Sequence, residues 1–174
     1  MIAVEAQAPK LARQAALDVR SFAGLDASQL RPIIDGIVRD PYIAGRVRYD
    51  HREPGFIHHP DVTYYGTYVD DELVGVYCVI ASGFIEVDVH AFLNRKALLH
   101  SVALGHLMAA RIFADPEINR ITAQIIEGLE SVCNHCKRFG FVYEGFRRGA
   151  ILKNGLAVGM HVLGLTRSDW EASK

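Results

Sequence analysis

Gly140-Phe141-Val142-Tyr143-Glu144-Gly145-Phe146-Arg147-Arg148 is the stretch whose reading settles how this chain folds. Before it, Leu129 to Phe139 reads as a helix, with Leu129, Val132, Cys133 and Cys136 on one stripe. Glycine commonly ends helices because it takes the left-handed backbone at little cost, so Gly140 marks the stop. After it, Phe141 to Leu152 is rich in strand formers and runs into Lys153-Asn154-Gly155, an Asn-Gly turn of the kind that closes tight hairpins. Leu156 to Leu165 is the returning strand.

Working towards the amino end, Arg120 to Ile126 predicts a further strand, and Asp115-Pro116 breaks a helix expected over Arg95 to Phe113. That helix would place Leu98, Val102, Gly105, Ala109 and Ile112 on one face. Ahead of it stand three strands joined by short polar turns: Val62 to Val69, Leu73 to Ala81, and Phe84 to Phe92. Such spacing predicts an antiparallel meander. Pro54 to Asp61, with two prolines, a glycine and His58-His59, reads as a loop, and Tyr42 to Glu53 as a short basic helix or loop. Asp26 is a plausible N-cap for a helix carrying Leu30, Ile33, Ile34 and Ile37, which Pro41 should close. Residues 1–25 form an Ala-rich arm set apart from a domain over 26–174, with a helix expected from Lys10 to Phe22 that docks either on the domain or on a partner.

Bulk properties narrow the function. A chain of 174 residues, half of them hydrophobic, suits one domain with a real core. A formal net charge of −1 gives no general attraction to nucleic acid or to an anionic membrane. Three cysteines do not make a paired secretory framework, and the start lacks the basic-then-apolar pattern of a leader, so the expectation is a cytoplasmic protein.

The order helix, Gly-Phe, a strand bearing Glu-Gly and Arg, then a hairpin resembles the C-terminal half of a GNAT acyltransferase. The similarity runs roughly from Val62 to Trp170. Gly-Phe-x-x-Glu-Gly-x-x-Arg, followed by Asn-Gly and by Arg167-Ser168-Asp169-Trp170, looks like the ribosomal-protein-acetylating branch of that family. Glu86-Val87-Asp88-Val89-His90, with Ala110-Arg111-Ile112-Phe113 and Asn119-Arg120-Ile121-Thr122, looks more like a phage-encoded group. The resemblance implies an α/β (α+β) fold, a mixed central sheet flanked by helices. It also implies acetyl transfer from acetyl-CoA to an amine, on a protein or a small molecule. The family's usual first strand has no clear place in the pattern, and the arm is where it would fit.

Glu86, Asp88 and His90 alternate along one strand and so share a face, with Ile85, Val87, Val89 and Ala91 directed into the core. Ionisable groups this close perturb one another, which suits a general base, and Glu86 and Asp88 are the candidates. By the resemblance, backbone groups around His90, Ala91 and Phe92 would hold the thioester, and Asn94, Arg95, Lys96 and Ala97 would meet the phosphates. Cys136 stands where the family has the tyrosine that protonates the leaving thiolate. Leu129 falls near the family's asparagine, and Leu93 to Leu99 has none of the glycines of the family's phosphate loop. Those three departures imply an alternative: a GNAT-fold structural or docking protein without turnover, held in a homo-oligomer or on a protein partner, for instance in a virion. Cys133-Asn134-His135-Cys136 lies mid-helix, so its thiols read as small buried hydrophobes, and no metal site is expected. His58-His59 reads as solvated loop. Tyr64, Tyr65, Tyr68 and Tyr77 straddle the first hairpin, where one of them would be placed to replace the missing acid.

Overall fold

The computed structural model describes residues 14–51 and 53–173. One seven-stranded sheet runs in the order β1-β2-β3-β4-β5-β7-β6. β1 is Leu17–Ser21, β2 Val62–Val69, β3 Glu72–Ala81, β4 Glu86–Leu93, β5 Arg120–Ile126, β6 Val142–Lys153 and β7 Leu156–Thr166. All neighbours pair antiparallel except β4 and β5, which are parallel.

The meander and the closing hairpin stand where the strand-forming runs and turns put them. Asn154 and Gly155 both take positive φ, 53° and 76°, as a two-residue hairpin turn requires. The arm differs from expectation. Residues 17–21 form the edge strand β1, pairing Leu17 with Val69 and Ser21 with Tyr65, so the first strand lies within 1–25. This segment holds one strong strand former, Val19. Its conformation comes from the free edge of β2 and from burial of Val19. Lys10 to Arg13, the start of the expected helix, lie outside the described residues.

Helices cover both faces. α1, Ala27–Val38, begins in a capping box in which Asp26 accepts from Ser28 and Gln29 N–H groups while the Gln29 side chain returns to the Asp26 N–H. Its Ile34 and Val38 bury against Tyr64, Val76 and Cys78 of β2 and β3. Pro41 does not close α1; it opens α2, Pro41–Val47, as its first residue behind the N-cap Asp40. On the opposite face lie α3, Arg95–Leu98; α4, Ser101–Ile112; α5, Glu130–Arg138; and α6, Arg167–Ala172. They pack Ala97, Leu104, Met108, Ile112, Cys133 and Trp170 onto Val79, Val87, Ile121, Leu163 and Leu165. The single helix expected over 95–113 is therefore two. α3 is capped by its own Asn94 and anchored by the fully buried Ala97, and the chain turns at Leu99 and His100 before α4 runs along β1. None of the helices among the described residues is long and apolar enough to cross a membrane.

Gly140 and Phe141 end α5 in a Schellman stop. The Gly140 N–H donates to Lys137 O and the Phe141 N–H to Cys136 O, both at 3.2 Å, and Phe141 enters the core beside Cys136. Gly140 has φ 104°, and a Cβ there would meet Leu165 Cδ1 at 3.3 Å. Gly140→Ala should lose about 1–2 kcal/mol in denaturant unfolding; an unchanged midpoint would contradict this account of the helix stop.

Candidate functional site

β4 and β5 are in register only at Glu86 with Arg120, Val87 with Ile121, and Asp88 with Thr122. Both strands continue, β4 to Leu93 and β5 to Ile126, but they part after Asp88. Beyond Asp88 the edge of β4 turned towards β5 has no strand partner among the described residues. The sheet thus forks at the only parallel pair among the described residues.

The two faces of the fork differ in chemistry. Val87 is buried under the helices, with Val89 and Leu93 packed beside it. Two residues expected in the core are not there: Ile85 precedes β4 in a turn and is 54% exposed, and Ala91 is exposed where the strands part. On the other face Phe92 packs into the α1 cluster, whereas Glu86, Asp88 and His90 stay partly open beyond the helix. They meet a polar row from β5 and β6 that the sequence reading did not assemble.

Arg120 organises the lower half of this row. Its guanidinium pairs with both carboxylate oxygens of Glu144, and its Nε donates to Glu86 Oε1 at 3.2 Å. The Thr122 hydroxyl donates to the same Glu86 oxygen at 2.5 Å. Glu144 lies on β6 and Arg120 on β5, with β7 between them. The ion pair crosses over Gly164, where a Cβ would stand 2.5 Å from both partners. The Arg120 guanidinium holds the Glu144 carboxyl below the usual carboxylate range. Glu144, which enters the sequence pattern only as part of a strand bearing Glu-Gly, therefore joins the site through this pair.

Asp88 occupies the upper half, at the point of the fork. Gln124 Nε2 reaches its Oδ2 at 3.4 Å, and Gln124 Oε1 accepts from Arg147 at 2.8 Å. Burial raises the Asp88 pKa above the ordinary carboxylate value; the neighbouring Glu86 charge adds to this, and His90 and Gln124 oppose it. The two base candidates separate accordingly. Glu86 is committed to Arg120 and Thr122, while Asp88 has one long hydrogen bond and a raised proton affinity.

The remaining predicted residues fall into place less simply. Asn94 caps α3, accepting from the N–H groups of Lys96 and Ala97, so these two donors are already used. Lys96 pairs with Glu72 at 2.6 Å, and the Arg95 guanidinium lies 5.3 Å from the Tyr42 ring. By contrast α4 starts at His100 with no side-chain cap, which leaves the first N–H groups of a twelve-residue helix without that form of capping. Cys136 is buried in the core, and burial pushes its thiol up to about 12, with Cys133 adding to the effect. A thiol so enclosed and so weakly acidic does not suit the proton-donor role expected of it. Tyr77 is no substitute, because complete burial raises its phenol further still.

No protein-family model matches the chain. Comparison with curated proteins likewise finds no match. Solved structures do match. A spermidine N-acetyltransferase from Vibrio cholerae, determined in complex with CoA and spermine, superposes with a TM-score of 0.72 at 14% identity, covering 89% of this chain and 98% of that one. A probable acetyltransferase of the GNAT family from Chromobacterium violaceum gives 0.72 at 17% identity over 95% and 96%. At these identities the likeness is one of fold: the chain has the GNAT acyltransferase fold, the mixed helix-flanked sheet its sequence pattern implies.

Proposed function

We propose that this chain is an N-acetyltransferase that moves an acetyl group from acetyl-CoA to an amine, with Asp88 as general base. The observation that carries this reading is the position of Asp88: a carboxylate with raised proton affinity where the two parallel strands part, on the face that α1 leaves open. The matched Vibrio cholerae enzyme, crystallised with CoA and spermine, supports the same chemical class.

The residues present fit the cofactor in two respects. The edge of β4 that β5 leaves beyond Asp88 offers backbone groups to an extended pantetheine and to the thioester oxygen. The start of α4, which has no side-chain cap, offers N–H groups to a pyrophosphate, with the cations Arg95 and Lys96 on the preceding α3. The anion site thus shifts from the Asn94–Ala97 turn, whose donors are spoken for, to His100 and the residues after it.

The bound cofactor supplies an activated acetyl thioester. An amine is protonated below a pKa of about 10 and cannot attack in that form. Asp88 accepts the proton, directly or through one water, and its raised pKa strengthens it as a base. Glu86, Arg120 and Glu144 hold the row rigid beneath it. Backbone N–H groups on the open β4 edge stabilise the charge that develops on the thioester oxygen. A thiolate is a far weaker base than the amide anion that would otherwise depart, so it can leave the tetrahedral intermediate without prior protonation, and loss of the family's proton donor at Cys136 is compatible with turnover.

Acetyl-CoA at about 100 times its dissociation constant should stabilise the fold by about 2.7 kcal/mol, a rise in thermal midpoint of roughly 5–10 °C for a domain this size. Thiol release in the presence of amines should accompany it. Absence of both would refute the proposal.

A further inference from the structure

Two polar rows cross the open face of the sheet from β4 to β6. The lower is Glu86, Arg120 and Glu144. The upper is Asp88, Gln124 and Arg147. In both, a β6 side chain reaches across β7 to a partner on β5. Glu144 passes over Gly164. Arg147 pairs with Met160 on β7 and leans back to Gln124, whose own neighbour on β7 is Val162.

The middle residue sets the two rows apart. In the lower row a guanidinium touches the Glu144 carboxylate and holds its pKa down. In the upper row an amide stands between guanidinium and carboxylate, and burial keeps the Asp88 pKa raised. Only one orientation of that amide satisfies both ends. A guanidinium donates and never accepts, so the Gln124 oxygen faces Arg147, at 2.8 Å, and its NH2 group is turned to Asp88 Oδ2, at 3.4 Å. Reversed, the amide would set donor against donor and oxygen against carboxylate. Arg147 makes no ion pair among the described residues that would draw it away from this task.

Resting on Asp88 as the base, we infer that Gln124 and Arg147 are its positioning residues: Arg147 locks the Gln124 amide, and the locked amide presents a donor to one oxygen of the Asp88 carboxylate. The bond favours the ionised form and fixes the carboxyl group's rotation without setting a cation against it. Direct contact with Arg147 would make Asp88 a weak base, as Arg120 makes Glu144. Loss of Arg147 frees the amide to turn its oxygen to Asp88, which favours the protonated carboxyl. The other charges facing Asp88 are Glu86 and His90 on its own strand and Arg120 on β5, while β3 sets the uncharged Ile80 beside it. All of these remain in place in the variants that follow.

The test is a carboxyl-carbon NMR titration of the full chain, with the Asp88 resonance assigned by its loss in Asp88→Asn. Arg147→Met should move the Asp88 midpoint up by about half a pH unit or more, the equivalent of one hydrogen bond. Arg147→Lys keeps a donor and should reverse most of that shift. Gln124→Met should raise the midpoint in the same way. Arg147→Met added to Gln124→Met should then change nothing further, because Arg147 acts through the amide. Arg147 is exposed and Gln124 half-buried, so both positions admit methionine without disturbing the core. An unmoved midpoint in either methionine variant would overturn the inference. So would shifts that add in the double variant, since the guanidinium would then act on Asp88 by charge alone. The acid limb of kcat/KM is measured separately on the same set. A limb that ignores the movement of the Asp88 midpoint refutes Asp88 as the base and leaves its positioning by Gln124 and Arg147 standing. A limb that follows Asp88 in the parent, with both readings unmoved by Arg147→Met, refutes the positioning alone.

Discussion

Asp88→Asn should lower the rate of acetyl transfer roughly 10²–10⁴-fold, the range for removal of a general base, with the thermal midpoint unchanged or higher. The two effects share one cause. Burial raises the Asp88 pKa, so the folded state disfavours the ionised carboxylate. Between the ordinary carboxylate value and the raised folded value, the unfolded chain has released a proton that the native protein retains. Stability therefore falls as pH rises through that window, and the cost persists at neutral pH. Asparagine keeps the shape and the acceptor oxygen facing Gln124 but cannot ionise, so it removes that cost together with the base. The acid limb of kcat/KM should report the same group, titrating above the usual carboxylate range in the parent and absent from the residual activity of the variant. A variant with full activity would move the base elsewhere. Glu86→Gln is the informative control: its carboxylate is held by Arg120 and Thr122, so its loss should act mainly on stability.

Replacement of Arg120 by methionine should produce the largest stability loss at this site, about 2 kcal/mol at neutral pH. Breaking a fully buried pair by removing one partner costs about 3–5 kcal/mol, and solvent screening at this part-exposed row lowers that figure. Without the guanidinium, Glu86 and Glu144 face each other uncompensated across the sheet. The pH dependence has a definite sign. Arg120 depresses the folded pKa of Glu144, so the pair's contribution is complete above the unfolded carboxylate value near ~4.3 and is lost as pH falls through the folded value. The gap between parent and variant should narrow in acid for that reason. Urea unfolding at neutral pH and at a pH below the carboxylate range measures both; a gap independent of pH would show that the packing of the Arg120 stem, and not its charge, is responsible.

Legibility in the sequence follows the range of the interactions. β2, β5 and the Asn154-Gly155 hairpin were readable because alternation, β-branched runs and turn residues are local. β1 was not, because a five-residue segment after an Ala-rich stretch becomes a strand only by pairing with β2. The break between α3 and α4 carries no proline or glycine, and it arises from packing Ala97 beneath one short helix while the next follows β1. Asp88 was visible as a base candidate from alternation alone. Its partners were not: Arg120 lies 34 residues from Glu86 and 24 from Glu144.

By itself the sequence determined the succession of strands β2 to β7, the helix stop at Gly140 and the placing of Glu86, Asp88 and His90 on one face of one strand, because each depends on backbone preference and side-chain period within a few residues. The tertiary structure alone decided that β7 lies between β5 and β6, that Gly164 leaves room for Glu144 to cross it to Arg120, and that β4 and β5 part just beyond Asp88. Those facts separate a carboxylate held by Arg120 and Thr122 from one whose proton affinity is raised by burial. Electrostatic pairing and desolvation are set by which strands become neighbours, and no local pattern encodes that.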